Sequence, residues 1–132
     1  MKKRRLCRDE TGATIIEFAF AFPVLIVMIW MLVQMALVLR ANSGIQHALG
    51  EGARSATLWP TPTRPDVVAT MVDSVSGVGP GDFDVVEPVV GQLDGSTYWD
   101  LQVTYSQSTS LLLAPGPTVR LSKTKRVWVA GS

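Results

Sequence analysis

The chain has 132 residues, with 12 Lys and Arg against 11 Asp and Glu, one His, one Cys and 47% hydrophobic residues. Near-neutral charge excludes a strongly basic nucleic-acid binder, and Cys7 and His47, each alone of its kind, exclude a disulfide scaffold, a zinc module and a Cys/His enzyme. Only 17% of residues are charged and mean hydropathy is +0.25, so the apolar residues must be concentrated somewhere.

They lie near the N-terminus. Met1 to Gly12 is a polar leader in which Lys2, Lys3, Arg4, Arg5 and Arg8 supply five of the 12 basic residues. Phe18 to Leu39 then runs for 22 residues without a charge. At about 1.5 Å per residue this is long enough to cross a hydrocarbon layer roughly 30 Å thick. Basic flanks stay cytoplasmic, so the N-terminus is expected inside and the rest outside, in the periplasm if the membrane is a bacterial inner membrane. A secretory signal has a shorter apolar core of about 7–15 residues ending in small residues; here Ala19 and Ala21 lie at the beginning of the run.

The helical pattern begins at Ala13 and meets no strong stop until Pro60, Pro62 and Pro65, which predicts a helix to about Thr57, about 67 Å long. Its upper half carries Ile45, Ala48, Leu49, Gly52 and Ala56 at three- and four-residue spacing, a stripe expected to pack against the outer part. Gly44, Gly50 and Gly52 each weaken a helix by roughly 1 kcal/mol relative to Ala, which points to close backbone approach or bending. A break at Asn42 to Gly44 is the alternative. Gln34, within the apolar run, is a candidate hydrogen-bonding partner for a neighbouring helix.

Thr63 to Asp66 has capping-box spacing, with Val68, Met71, Val72 and Val75 following at helical intervals, so a short second helix ends near Ser76. Three strands are predicted over Phe83–Val90, Tyr98–Ser106 and Thr118–Val129. In the middle one Trp99, Leu101, Val103 and Tyr105 alternate with polar residues, the pattern of a half-buried antiparallel strand. Asp94 and Gly95 supply turn chemistry in a connection longer than two residues, and LLLAPGP reads as a proline-bearing loop. Trp99 and Trp128 are expected in the core, and Lys123, Lys125 and Arg126 on a solvated strand edge. Glu51 and Arg54 form a solvated pair.

The fold expected is α+β and pilin-like: one long N-terminal helix whose lower half is transmembrane, a short second helix and a small three-stranded antiparallel sheet. The divisions are 1–12 (cytoplasmic basic leader, cleaved), 13–39 (transmembrane helix), 40–58 (projecting continuation) and 59–132 (small periplasmic α/β domain). The last has 74 residues and needs the projecting helix face to complete its core.

Gly12, Ala13, Thr14, Ile15, Ile16, Glu17 and Phe18 occupy the junction of leader and apolar run. Cleavage after Gly12 would free an amine at Ala13, mostly cationic at neutral pH with a reference pKa near 8, and make Glu17 the fifth mature residue. A carboxylate in hydrocarbon is costly by several kcal/mol unless an opposite charge offsets it. When such helices bundle, Glu17 of one subunit can meet the Ala13 amine of its neighbour and set their register. Glu17 solvated at the headgroup boundary is the plainer alternative. Pro23 marks a tolerated kink.

GATIIEFAFAFPV, continuing to GEGARSA at 50–56, resembles the TadE-like family of tight-adherence pilus assembly proteins over roughly Arg8 to Thr57. In that resemblance Gly12 and Ala13 correspond to the processing junction, Glu17 and Phe18 to the acidic-aromatic pair, Pro23 to the proline of the apolar run, and Glu51 to Arg54 to the segment closing the first helix. It implies a pseudopilin or minor pilin cut by a prepilin-type peptidase. The partners implied are other pilin or pseudopilin subunits, the inner-membrane pilus assembly machinery and the lipid bilayer. No cofactor, metal or nucleic acid is expected.

Removal of residues 1–12 would change 12 basic and 11 acidic residues to 7 and 9, a balance of −2, which disfavours DNA. An unprocessed single-pass anchor displaying a periplasmic binding or adhesion module is the alternative function. An enzyme is disfavoured, because Asp66, Asp73, Asp82, Asp84, Glu87, Asp94 and Asp100 are scattered without a base, nucleophile or metal-ligand spacing. Asp82 and Asp84 lack the spacing of a calcium loop.

Overall fold

The computed structural model describes residues 10–112 and 114–129. The basic leader expected over 1–12 therefore lies outside the described residues up to position 9. Helix α1 (Glu10–Ala56) is 47 residues long, about 70 Å, and runs unbroken through both Pro23 and Asn42 to Gly44. Helix α2 (Arg64–Val75) follows, then strands β1 (Asp82–Leu93), β2 (Ser96–Leu111) and β3 (Ala114–Val129) in one antiparallel sheet of order β1-β2-β3. The fold class is α+β.

Local chemistry accounts for these elements. Asp66 Oδ2 accepts from the Thr63 backbone N–H at 3.1 Å, and the Thr63 hydroxyl accepts from the Asp66 N–H at 3.4 Å. Together they close the capping box expected from the sequence, with Pro65 in the first turn, where its missing N–H costs nothing. The buried stripe of α2 is Val67, Met71 and Val75, a strict four-residue repeat, whereas Val72 faces outward. The face is thus rotated by about one residue from the one expected.

The β1–β2 turn is tighter than the sequence suggested. Leu93 pairs with Ser96, and Asp94 (φ 50°) and Gly95 (φ 77°) form the two-residue turn whose twist matches a hairpin. Register shifts once between Val86 and Val89, where Pro88 on this edge strand needs no ladder partner. The β2–β3 hairpin also exceeds its expected length: Ser110 pairs with Pro115 and Leu111 with Ala114, so most of LLLAPGP is strand rather than loop.

The core forms where the sheet closes on the upper half of α1 and on α2. Ile45, Ala48, Leu49, Gly52 and Ala56 all point inward, meeting Val67 and Met71 from α2 and Trp99, Leu101, Val103 and Tyr105 from β2. Tyr105 is buried with its hydroxyl against the Pro80 carbonyl and Gln107 Oε1, and burial beside Asp82 pushes that hydroxyl above the usual phenol range. Arg64 and Glu87, 3.4 Å apart, tie α2 to β1, while Glu51 and Arg54 at 3.9 Å are the solvated pair expected.

Two expectations for β3 are corrected. Val127 and Val129 face inward, so Trp128 between them lies on the open face of the sheet, 49% exposed, edge-on to Tyr98 at 5.5 Å. Arg126 is paired rather than free. It donates to both Asp100 oxygens at 2.8 Å across the ladder and lies 3.9 Å from the Tyr98 ring centroid.

The Arg126 guanidinium holds the Asp100 carboxyl below its ordinary 3.8, and the Thr63 bonds do the same for Asp66. A carboxyl whose value is lowered on folding stabilises the fold above its unfolded value, and that contribution is lost as pH falls through the lowered one. The urea midpoint of the detergent-solubilised chain should therefore hold from neutral pH to about 5 and decline below about 3.8. Asp100→Asn should flatten part of that decline. An undiminished acid slope in the variant would show that this pair carries no pH-linked stability.

Candidate assembly face

Residues 14–29 of α1 are all exposed. The helix from Thr14 to Ala56 contains a window of mean hydropathy 2.5, none of it buried, which is long and apolar enough to cross a membrane. Trp30, Gln34, Leu37 and Val38 are half-buried, and from Ala41 the stripe becomes fully buried core. The α/β domain thus covers one side of the helix from Trp30 upward.

On the bare stretch, Phe18 stacks on Phe22 with centroids 5.8 Å apart. Phe18, Ala21, Phe22 and Leu25 border a shallow hollow on the helix surface. Their spacing (i, i+3, i+4, i+7) is that of a hole receiving one side chain from a facing helix, and the small Ala21 deepens it. At about 100° per residue this hollow lies roughly 170° around α1 from the Trp30–Ile45 stripe, so the bare face points away from the domain. Glu17, one turn before Ala21, is exposed and has no hydrogen-bond or ion-pair partner among the described residues.

Gly12 and Ala13 lie within the helix rather than in an extended segment. A Cβ at Gly12 would meet nothing within 4 Å among the described residues, so no packing within the chain calls for glycine there. Pro23 also lies within the continuous helix, where it leaves the Ala19 carbonyl without its usual donor. Gln34 is on the domain side. Its Oε1 is buried without a partner among the described residues and is covered by the chain itself, so it is not the contact to a neighbouring helix that the sequence suggested.

The structure thus brings Glu17, Phe18 and the hollow together on one bare stretch, and leaves Pro23 toward the other side. Among the described residues no three His, Cys, Asp or Glu are grouped to hold a metal ion. An open groove of about 650 Å³ between α2 and β1 is lined by Val68, Val72, Asp73, Val85 and Glu87; nothing in the sequence pattern marked it.

Residues 12–54 match the family model TadE-like protein. The TadE-like segment begins at the glycine of the junction and ends at Arg54, two residues before α1 does. It therefore covers both the bare stretch and the stripe under the sheet, and α2 and the sheet lie beyond it. No curated protein and no solved structure matches the chain. A TadE-like segment on a helix able to cross a membrane fits a membrane-anchored protein associated with a tight-adherence pilus.

Proposed function

We propose that this chain is a TadE-like pseudopilin or minor pilin, a structural component of a tight-adherence pilus rather than an enzyme. A prepilin-type peptidase cuts it between Gly12 and Ala13 on the cytoplasmic side of the inner membrane, and the α/β domain stands in the periplasm. The observation that carries this is the coincidence of the TadE-like match, beginning at residue 12, with a bare helix on which Glu17 lacks an intrachain partner. Gly12 supports it, because a mid-helix glycine costs roughly 1 kcal/mol and nothing nearby in the fold repays that. A peptidase needing an accessible backbone supplies the missing reason. The bare face, turned away from the domain, is free to pack against other subunits.

N-terminal sequencing of the protein extracted from membranes of cells with an active prepilin peptidase should give a chain beginning at Ala13. Recovery of the uncut chain as the only form would overturn the proposal. The continuity of α1 across Gly12 and Ala13 favours the second reading, an unprocessed single-pass anchor displaying a binding module, since an uncut helix offers no extended strand there. That reading expects the leader to be retained.

A further inference from the structure

Trp30 lies near the middle of the apolar run, yet its indole Nε1 donates to the Ser110 carbonyl at 2.8 Å, a contact across 80 residues. The far end of the β2–β3 hairpin therefore sits at the level of Trp30 rather than above the membrane-spanning stretch. From Ala13 to Ile29 there are 17 residues below that level. They supply about 26 Å, less than the roughly 30 Å of hydrocarbon a span must cross. If the hydrocarbon began only at Phe18, its far boundary would lie near Leu37 and Trp30 would be about 10 Å inside it. With the helix counted from Glu10, 20 residues lie below Trp30, which then stands at the boundary itself.

On each count the hairpin tip meets the membrane, and we propose that it is a second membrane contact, seated in the lipid interface on the domain side and locked to the spanning helix through Trp30 and Ser110. This rests on the membrane-crossing reading of α1.

The chemistry of the tip agrees. Leu101 to Val119 contains no charged residue over 19 positions, and the tip itself reads Leu111, Leu112, Leu113, Ala114, Pro115. Leu112 is 49% exposed, with no core of its own to enter. Ladder pairing down to Leu111 and Ala114 satisfies backbone groups that hydrocarbon would otherwise penalise. Trp30 is an aromatic of the kind that concentrates at membrane boundaries. Arg120, Lys123 and Lys125 are all held further up β3, away from the tip. Two contacts at one level fix the depth of the helix and the tilt of the domain above it.

The test uses the full chain with Cys7→Ser, reconstituted into vesicles of phosphatidylethanolamine and phosphatidylglycerol. An NBD fluorophore is attached at Leu112→Cys or, as a second position on the tip, Ala114→Cys. Leu25→Cys on the bare helix and Thr124→Cys on the open sheet face serve as references. The tip label should be blue-shifted and quenched by phospholipid carrying a shallow nitroxide, resembling Leu25, while aqueous iodide quenches Thr124. Tip labels open to iodide and untouched by the lipid nitroxide, with Leu25 still lipid-quenched, would overturn the inference alone. Tip labels shielded from both quenchers and cross-linking between copies would assign the tip to a second protomer and overturn it equally. A Leu25 label open to iodide would remove the membrane crossing itself, and the inference with it.

Discussion

Gly52→Leu should destabilise the α/β domain by about 2 kcal/mol or more, despite placing a strong helix former in the middle of a helix. Two effects of opposite sign compete. Leucine in place of glycine favours an exposed helix interior by roughly 0.8 kcal/mol. Overpacking a filled core costs about 1–3 kcal/mol, occasionally more. The geometry decides between them, because a Cβ at Gly52 would meet Met71 Cγ and Sδ at 2.5 Å and Leu101 Cδ1 at 3.3 Å. Both neighbours are fully buried, so neither has solvent to move into. Gly50, two residues earlier, provides the control: its Cβ would meet nothing within 4 Å, and Gly50→Ala should gain most of the propensity term. Thermal unfolding of the full chain in detergent should fall by roughly 10 °C for Gly52→Leu and rise by a few degrees for Gly50→Ala. Equal stability of Gly52→Leu and the parent would mean that α1 and α2 do not pack as closely as the structure has them.

That contrast shows what the sequence could and could not convey. The stripe Ile45, Ala48, Leu49, Gly52, Ala56 was legible because a helix buried on one side must repeat at three and four residues, and all five positions are buried. The capping box before α2 and the alternation of β2 were legible for the same reason: each is a local rule with a fixed period. Which of the three glycines marks a close approach was not legible, since that depends on where Met71 and Phe83 arrive from other elements.

The tip of the β2–β3 hairpin was misread because Pro115, Gly116 and Pro117 look like a loop. β3 is an edge strand, where a missing N–H can face away from the ladder. Trp128 was misplaced through parity: a shift of one residue exchanges the two faces of a strand. Arg126 with Asp100 and Trp30 with Ser110 are partners 26 and 80 residues apart, beyond the reach of any local pattern. For the candidate site, the apolar run and the resemblance gave Gly12, Ala13, Glu17 and Phe18. The side of the helix on which they can act emerged only from where the domain sits.

Glu17→Leu should lower incorporation into the assembled pilus about 100-fold or more under the proposed pairing of the Glu17 carboxylate with a freed Ala13 amine. Removing one partner of a desolvated ion pair costs about 3–5 kcal/mol, because the remaining charge is left uncompensated, and each 1.4 kcal/mol is about tenfold. Insertion itself should not suffer, since leucine lengthens the apolar run by one residue. The defect belongs to assembly only if the variant still begins at Ala13, so N-terminal sequencing accompanies the count of incorporated chains. Ala13 and Glu17 are four residues apart on one helix, close enough for the pair to form within a subunit as well as between subunits. Co-production with the parent chain separates these cases. A pair between subunits makes each variant spoil a neighbour, so incorporation falls faster than the variant's share of the mixture. A pair within a subunit makes the fall proportional. Full incorporation of correctly processed Glu17→Leu would remove the carboxylate from the assembly contact and leave Phe18, Ala21, Phe22 and Leu25 to form it by apolar packing alone.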